Sequence, residues 1–366
     1  MHAFPEERVK MTLVDLLAIP SPTGYAHRAV DFVEKRLGSL GLETVRDNKG
    51  GLRVTLNGKN DRHHRYITAH VDTLGAMVKE IKPDGRLKLT KIGGFGWFSV
   101  DGAYCRVHTR DGREHSGTIL ASHTSVHVYH DAEKQPRSDE TMEVRLDLAA
   151  NSAEEVRKQG IRVGDFVSFE PMIEWTETGF IKARHLDDKA AVAVLIELIA
   201  AFAKSGRRPA HTTHFYFSCY EEVGFGANSA IPPDVREFLA VDMGALGSGQ
   251  TGDEFSVSIC AKDSSGPYHY GLTQFLVRLA EEHDIRHQVD IYPRYGSDAS
   301  AAVRAGHDVM HALCGPGVDA SHAYERTHRD ALEQTWRLLD AYLMTSLPDT
   351  RESVNDGFAQ RTAARA

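Results

Sequence analysis

Five short stretches place carboxylates or imidazoles at the ends of apolar runs: "AHVD" (His70, Asp72), "HLDDK" (Asp187, Asp188), "YEEVG" (Glu221, Glu222), "AVDMG" (Asp242) and "ASHAYERTH" (His322, His328). Taken singly, each has an ordinary reading. H-x-D arises by chance in a chain with 20 histidines. "LDD" before an apolar helix reads as a cap with a first-turn acid favoured by the helix dipole. Asp242 could merely end a strand, and His322 could belong to a plain loop. The pair Glu221–Glu222 resists that treatment, because it follows the buried-strand pattern "HTTHFYFSCY". A buried carboxylate without a partner is costly.

Together the stretches meet one requirement. Two divalent cations held close together need about five or six oxygen and imidazole ligands, with one carboxylate shared between them. Such ions would neutralise acids that otherwise could not share a pocket. One glutamate of the pair would bind metal and the other would stay free as a base. Adjacent side chains on a regular strand point to opposite faces. Both reach one site only if the strand has ended, which Gly224 and Gly226 fit. His63, His64, His123, His127, His130, His211 and His214 show no acid partner at ligand spacing and read as structural or exposed.

The elements that must position these residues follow from periodicity. Residues 5–41 read as two helices around "PSPTG", with Leu13, Leu16, Leu17, Val30, Val33 and Leu37 at helical spacing. "GGLRVTLNG" and "RYITAHVD" read as strands. Between about 76 and 172 short β-like pieces ("RLKLTKI", "YCRVHT", "GTILAS", "SVHVYH", "MEVRLDL", "DFVSFEP") alternate with turns, and only "SAEEVRKQG" reads as helical. That texture predicts a small barrel or sandwich. Beyond 173, strands and helices alternate, which predicts a largely parallel sheet covered on both faces. The expected organisation is a discontinuous α/β domain (1–75 and 173–346), an inserted β-rich domain (76–172), and a disordered tail (347–366). Charged residues at strand ends in such a sheet are candidates for a ligand site.

Bulk properties exclude other classes. A length of 366 residues with 41% hydrophobic and 26% charged residues is ordinary for a globular chain of about two domains. A formal charge of −8 argues against a general nucleic-acid or anionic-membrane binder. No signal-peptide core opens the chain, and no apolar run approaches the ~20 residues of a membrane span. Cys105, Cys219, Cys260 and Cys314 form no C-x-x-C pair and read as buried reduced thiols, which predicts a cytoplasmic protein. A nucleotide-binding reading of "GFGANSA" fails: Ser229 takes the third glycine position, and Glu221 and Glu222 would repel a pyrophosphate.

In this order, "AHVDTLGAMV", "ARHLDDKAAVAVLIELI", "EEVGFGA", "AVDMG" and "YGSDASAAVRAG" resemble the glutamyl-aminopeptidase or tetrahedral (TET) aminopeptidase family of dinuclear metallopeptidases. "PSPTGYAHRAVDFV" and "SAEEVRKQGIRVGDFVSFEP" resemble that family's opening helix pair and the close of its inserted β-domain, so the likeness spans roughly residues 9–345. The resemblance implies a zinc-exopeptidase-like α/β fold, with a mixed, mostly parallel sheet between helices and an inserted small β-barrel. It further implies two divalent ions, zinc or else cobalt. His70 and Asp242 would hold one, Glu222 and His322 the other, and Asp187 would bridge. Glu221 would be general base toward a water between the ions, and Asp72 the acid that orients His70. Asp188, next to the bridge, receives no fixed role.

The resemblance also implies hydrolysis of the first residue from short peptides by a dimer-based homo-oligomer, up to a dodecamer. A dinuclear amidohydrolase acting on N-blocked amino acids or dipeptides would share every ligand. A metal-stabilised scaffold without catalysis would have no use for an unligated Glu221. The chain departs from the family pattern at His185 and Lys189, where alanine and arginine are common. Its last histidine lies in "GVDASHAYERTH" rather than R-Y-x-H, which leaves His328 as the other candidate for that ligand. The segment "GALGSGQTGDEFSVSICAKDSSGPYHYG" matches none of these motifs and is a candidate for shaping substrate choice.

Overall fold

The run after His185 is apolar on every side and forms the helix Leu186–Ser205, buried along most of its length. A helix apolar all round has no face to offer solvent and must sit inside. It stops at Gly206, whose φ of 67° is the left-handed cap that suits glycine. The central sheet packs against this helix, the helix Glu6–Leu17 packs on it, and His27–Gly38 and Arg329–Met344 lie beside it and also touch the sheet. Val9, Leu13, Val30, Val33 and Trp336 from these surrounding helices are fully or almost fully buried. The acid inside the helix, Glu197, is only 2% exposed; it accepts from Thr12 Oγ1 at 2.7 Å and Arg36 Nη2 at 2.8 Å.

The computed structural model describes residues 1–346; the expected tail, 347–366, lies outside the described residues. Four strands at the middle of the main sheet, His211–Ser218, Asn60–His70, Val235–Val241 and Met310–Val318, run parallel in that spatial order. Antiparallel strands flank them, Leu52–Leu56 on one side and Val257–Asp263 on the other. The sheet is therefore mixed, with a parallel centre. Its second face carries a tyrosine-rich layer (Tyr66, Tyr216, Tyr268, Tyr292) under the helix Asp298–Arg304.

A closed six-stranded barrel is inserted after His70. Its strands follow the order Gly75–Ile81, Leu87–Ile92, Met142–Leu146, Glu114–Ala121, Tyr104–His108 and Phe166–Phe169 around the closure. Val78, Leu89, Val107, Ile119, Val144 and Val167 fill it. One expectation fails here: "SVHVYH" forms a turn, not a strand. Its alternating valines have nothing to cover, since Val126 and Val128 are 61% and 72% exposed, and Val128 N and Tyr129 N both close onto Ser125 O. Downstream, a three-stranded sheet of Glu174–Trp175, Phe180–Ala183 and Glu325–His328 ties the connection out of the barrel to the segment behind His322. All four cysteines are buried and free. No helix among the described residues is long and apolar enough to cross a membrane.

Candidate active site

The four parallel strands end on one side of the sheet, and the acid and imidazole stretches gather there. His70 ends its strand, and Asp242 follows the strand ending at Val241. The strand ending at Ser218 gives way to a single 3-10 turn, Glu221–Val223, closed by Gly224 N donating to Glu221 O at 2.7 Å. Gly224 sits at φ 86°, a left-handed value natural to glycine. Both glutamates can thus turn toward one site. His322 lies on the loop after Val318, also at positive φ (63°), and Asp187 opens the buried helix. The Asp187–Asp188 peptide is cis.

Asp187 is the hub. Its Oδ1 lies 3.1 Å from His70 Nε2 and its Oδ2 lies 3.3 Å from His322 Nε2. Glu221 Oε2 is 3.7 Å from His70 Nε2, and Glu222 Oε2 is 3.5 Å from His322 Nε2. The ligand atoms of His70, Asp187 and Glu222 lie within 4.8 Å of one another, as do those of His70, Glu221 and Asp242. Each histidine is oriented through its other nitrogen. His70 Nδ1 donates to the Asp72 carbonyl at 2.9 Å, and His322 Nδ1 donates to the Gly94 carbonyl at 2.5 Å. A carbonyl can only accept, so the proton sits on Nδ1, and Nε2 faces the acids.

The Asp72 carboxylate lies 3.6 Å from His70 Nδ1 through Oδ1 and also has other partners. It accepts from Thr23 Oγ1 at 2.6 Å and from the amides of Glu221 and Glu222 at 3.2 and 3.3 Å. Asp188 Oδ2 accepts from the His70 amide at 3.2 Å, while its Oδ1 is buried without a partner. Lys189 Nζ is turned away from the cluster and donates to the Leu16 and Ile19 carbonyls. His328 is also elsewhere: it caps the helix Arg329–Met344, accepting from Asp330 N, while its Nε2 donates to Thr178 O.

So many acids in a dry space disturb one another. Burial, helped by the Asp187 charge, pushes Glu222 up to about 8 and Asp242 up to about 7. Burial raises Glu221 well above the usual carboxyl range, with Asp242, Asp298 and Glu222 adding to it. Burial alone would depress His322, but its contact with Asp187 and the charge of Glu222 prevail and carry it to about 11. His70 is raised for the same reasons, by Asp187, Glu221 and Asp242. These shifts describe a cluster that needs positive charge, as protons or as cations. The mixed carboxylate–imidazole donor set, the ligand spacing and the orphaned Asp188 oxygen all fit divalent ions.

A cavity of about 610 Å³ opens onto Asp187, Glu221, Glu222, Asp242 and His322. The segment after Asp242 lines it through Met243, Leu246, Ser248 and Gln250, and Tyr292–Ser297 lines it alongside, with Tyr295 Oη donating to the Met243 carbonyl at 2.9 Å. Arg294 and Arg304 are the cations among the lining residues. Arg304 Nη2 donates to Ser265 Oγ at 2.9 Å, whereas Arg294 has no hydrogen-bond or ion-pair partner among the described residues.

Sequence reasoning missed several supporting groups. Asp298 accepts from Ser218 Oγ at 2.6 Å and Ala227 N at 2.8 Å, and so brackets the turn that carries both glutamates. Glu325 accepts from the amides of Asp187 and His322. Both acids lie inside stretches already singled out, so the motif was visible and the acceptor role was not. Gly94 belongs to the barrel and gave no signal.

Comparisons with known proteins identify what the chain resembles. Residues 50–338 match the family model described as M42 glutamyl aminopeptidase. The chain is 54% identical over 341 residues to "Putative aminopeptidase YhfE" of Bacillus subtilis, covering 93% of this chain and 99% of that one. It is 26% identical to "Glutamyl aminopeptidase" of Lactococcus lactis, covering 85% and 88%. Among solved structures it resembles the TET1 peptidase of Pyrococcus horikoshii, which can assemble into a tetrahedron or a large octahedral shell. That likeness has a TM-score of 0.80 at 26% identity and covers 92% of this chain and all of that one. Fold, strand-end site and these likenesses converge: the chain belongs to the M42 glutamyl aminopeptidase family and is a peptide hydrolase of the aminopeptidase type.

Proposed function

We propose that the chain removes the N-terminal residue from short peptides with the help of two divalent ions, zinc or else cobalt. His70 and Asp242 would hold one, Glu222 and His322 the other, and Asp187 would serve both. One observation carries this reading: the two oxygens of Asp187 each face the Nε2 of a different histidine, at 3.1 and 3.3 Å. A basic nitrogen and a carboxylate that close require a positive charge between them. When bound, the ions would supply Lewis acidity toward the scissile carbonyl and toward a nucleophilic water.

The chain's own groups do the rest. Glu221, whose side chain is 14% exposed and whose pKa is raised by burial, can take a proton from water and return it to the leaving amine. Asp72 holds that turn through the two glutamate amides, while its carbonyl fixes the His70 tautomer. The acids lining the cavity suit a free α-amine. Arg294 and Arg304 favour an acidic side chain on the residue to be cleaved. The catalytic unit would be 1–75 with 173–346. The insert 76–172 would supply contacts for a cytoplasmic, dimer-based homo-oligomer, up to a dodecamer.

The test combines metal analysis of the purified protein with a panel of free and N-blocked aminoacyl amides. Two ions per chain and cleavage of free N-termini, fastest for glutamate or aspartate, are expected. Turnover of N-blocked substrates alone would replace this reading with an amidohydrolase. Glu221→Gln should keep both ions and lose activity by about 10²–10⁴-fold. An active variant with full metal content would remove Glu221 from the mechanism.

A further inference from the structure

Glu325 lies three residues beyond His322, opposite Ala183 in the antiparallel pairing of Phe180–Ala183 with Glu325–His328. Asp187 lies four residues beyond Ala183. The strand pair therefore brings the backbones of two candidate ligands side by side, and Glu325 closes the gap. Its Oε2 accepts from Asp187 N at 3.0 Å, and its Oε1 accepts from His322 N at 3.1 Å. The side chain is 2% exposed and forms no ion pair among the described residues. The neighbouring Arg184 spends Nη1 on the Ala323 carbonyl instead.

Both amides need such an acceptor. Asp187 and Asp188 have non-helical backbone just before the regular part of the buried helix, and the acceptor of the Asp187 amide is Glu325 Oε2. His322 holds a left-handed backbone (φ 63°), a conformation a non-glycine residue keeps only when its surroundings enforce it.

We propose that Glu325 is a positioning residue for the metal centre. With one oxygen on each of two ligand-bearing amides, it sets the separation of Asp187 and His322, and thereby completes the site that His322 shares with Glu222. Nothing in the family likeness assigns this role. A carboxylate is required because two N–H donors converge on one side chain. A glutamine offers a single acceptor oxygen and would aim its NH2 at one of the two amides. The inference rests on the two-ion reading above.

The experiment is a Co2+ titration of the metal-free full-length chain, followed by cobalt absorption and calorimetry, on wild type, Glu325→Gln and Glu325→Asp. Wild type should bind two equivalents. E325Q should keep the first at wild-type affinity and bind the second about 10–100-fold more weakly. E325D, which retains two acceptor oxygens, should fall between them. A merely structural residue would weaken both equivalents together or neither. Unchanged binding by E325Q, or a second equivalent weaker in E325D than in E325Q, overturns the role. Should E325Q fail to fold, E325D decides: a second equivalent weakened with the first unchanged supports the proposal, and both unchanged or both weakened together overturns it. A wild type that takes up no Co2+ sinks the two-ion reading itself, a result distinguishable from failure of Glu325 alone.

Discussion

Histidines stand at both ends of the parallel sheet, His64 and His214 toward the amino ends of Asn60–His70 and His211–Ser218, His70 and His322 at the carboxyl side, and the two ends behave oppositely. Toward the amino ends, His64 Nδ1 and His214 Nε2 lie 2.9 Å apart, and His214 Nδ1 meets Thr55 Oγ1 at 2.8 Å. The carboxylate in contact with that pair, Asp61, is 80% exposed and 3.1 Å from His64. Burial and the neighbouring His64 push His214 down to about 4. At the carboxyl ends His322 stands at about 11, because buried acids surround it. Imidazoles are plentiful in both places; buried carboxylates distinguish the one that can hold a cation.

That contrast can be broken at its strongest point by Asp187→Asn. It removes charge from the group shared by both histidines. Loss of bound metal and a fall in kcat/KM of about 10²–10³-fold or more are expected, measured by metal content and turnover of a glutamyl amide. Normal metal content would undo the hub assignment. A smaller effect should follow at the cavity wall. Exposed charge pairs are worth about 0.2–1 kcal/mol each, so reversing both arginines (Arg294→Glu with Arg304→Glu) should shift selectivity from glutamyl toward lysyl amides by about tenfold. An unchanged ratio would show that the arginines do not meet the substrate.

The pH response sharpens the comparison further. In the metal-free protein Glu222 and Asp242 titrate at about 8 and about 7, and His70 and His322 are also raised. These four groups thus bind more protons in the folded than in the unfolded chain from about pH 5 to about pH 8, so their contribution to stability falls as pH rises through that window. Thermal melts should show a lower Tm at the upper end, and added Zn2+ should raise Tm more there than at about pH 5.5. A zinc effect independent of pH would contradict the charge reading. The smallest effect belongs to the opposite end. His64→Gln with His214→Gln should change stability by about 1 kcal/mol or less and leave metal content and kcat/KM untouched.

Much of this architecture was legible because periodicity reports burial directly. Leu13, Leu16 and Leu17, or Val30, Val33 and Leu37, reveal a helix face, and a run apolar on all sides reveals the interior helix at Asp187. "SVHVYH" shows the limit: alternation predicts a strand only where a partner face exists, and Val126 and Val128 have none. In the site, the strand-end stretches stood out because acids are rarely placed after buried strands. Glu325, Asp298 and Gly94 did not, since each acts as an acceptor: Glu325 and Asp298 for main-chain amides and a hydroxyl, Gly94 through a bare carbonyl. Such a role leaves no mark on residue type. Asp72 meets His70 Nδ1 twice, through its main-chain carbonyl at 2.9 Å and through its carboxylate Oδ1 at 3.6 Å, and only the second contact depends on residue type.

The Gly94 carbonyl beside His322 joins the barrel to the chemistry. The adjoining Gly93 sits at φ 79°, and a methyl group there would run into Leu74 Cδ2 at 2.5 Å, so the turn that presents this carbonyl tolerates little change. Excising the barrel to obtain a minimal hydrolase would therefore leave the His322 imidazole without the carbonyl that fixes its ring. A graft from a relative would have to preserve that one turn before any other part of the insert mattered.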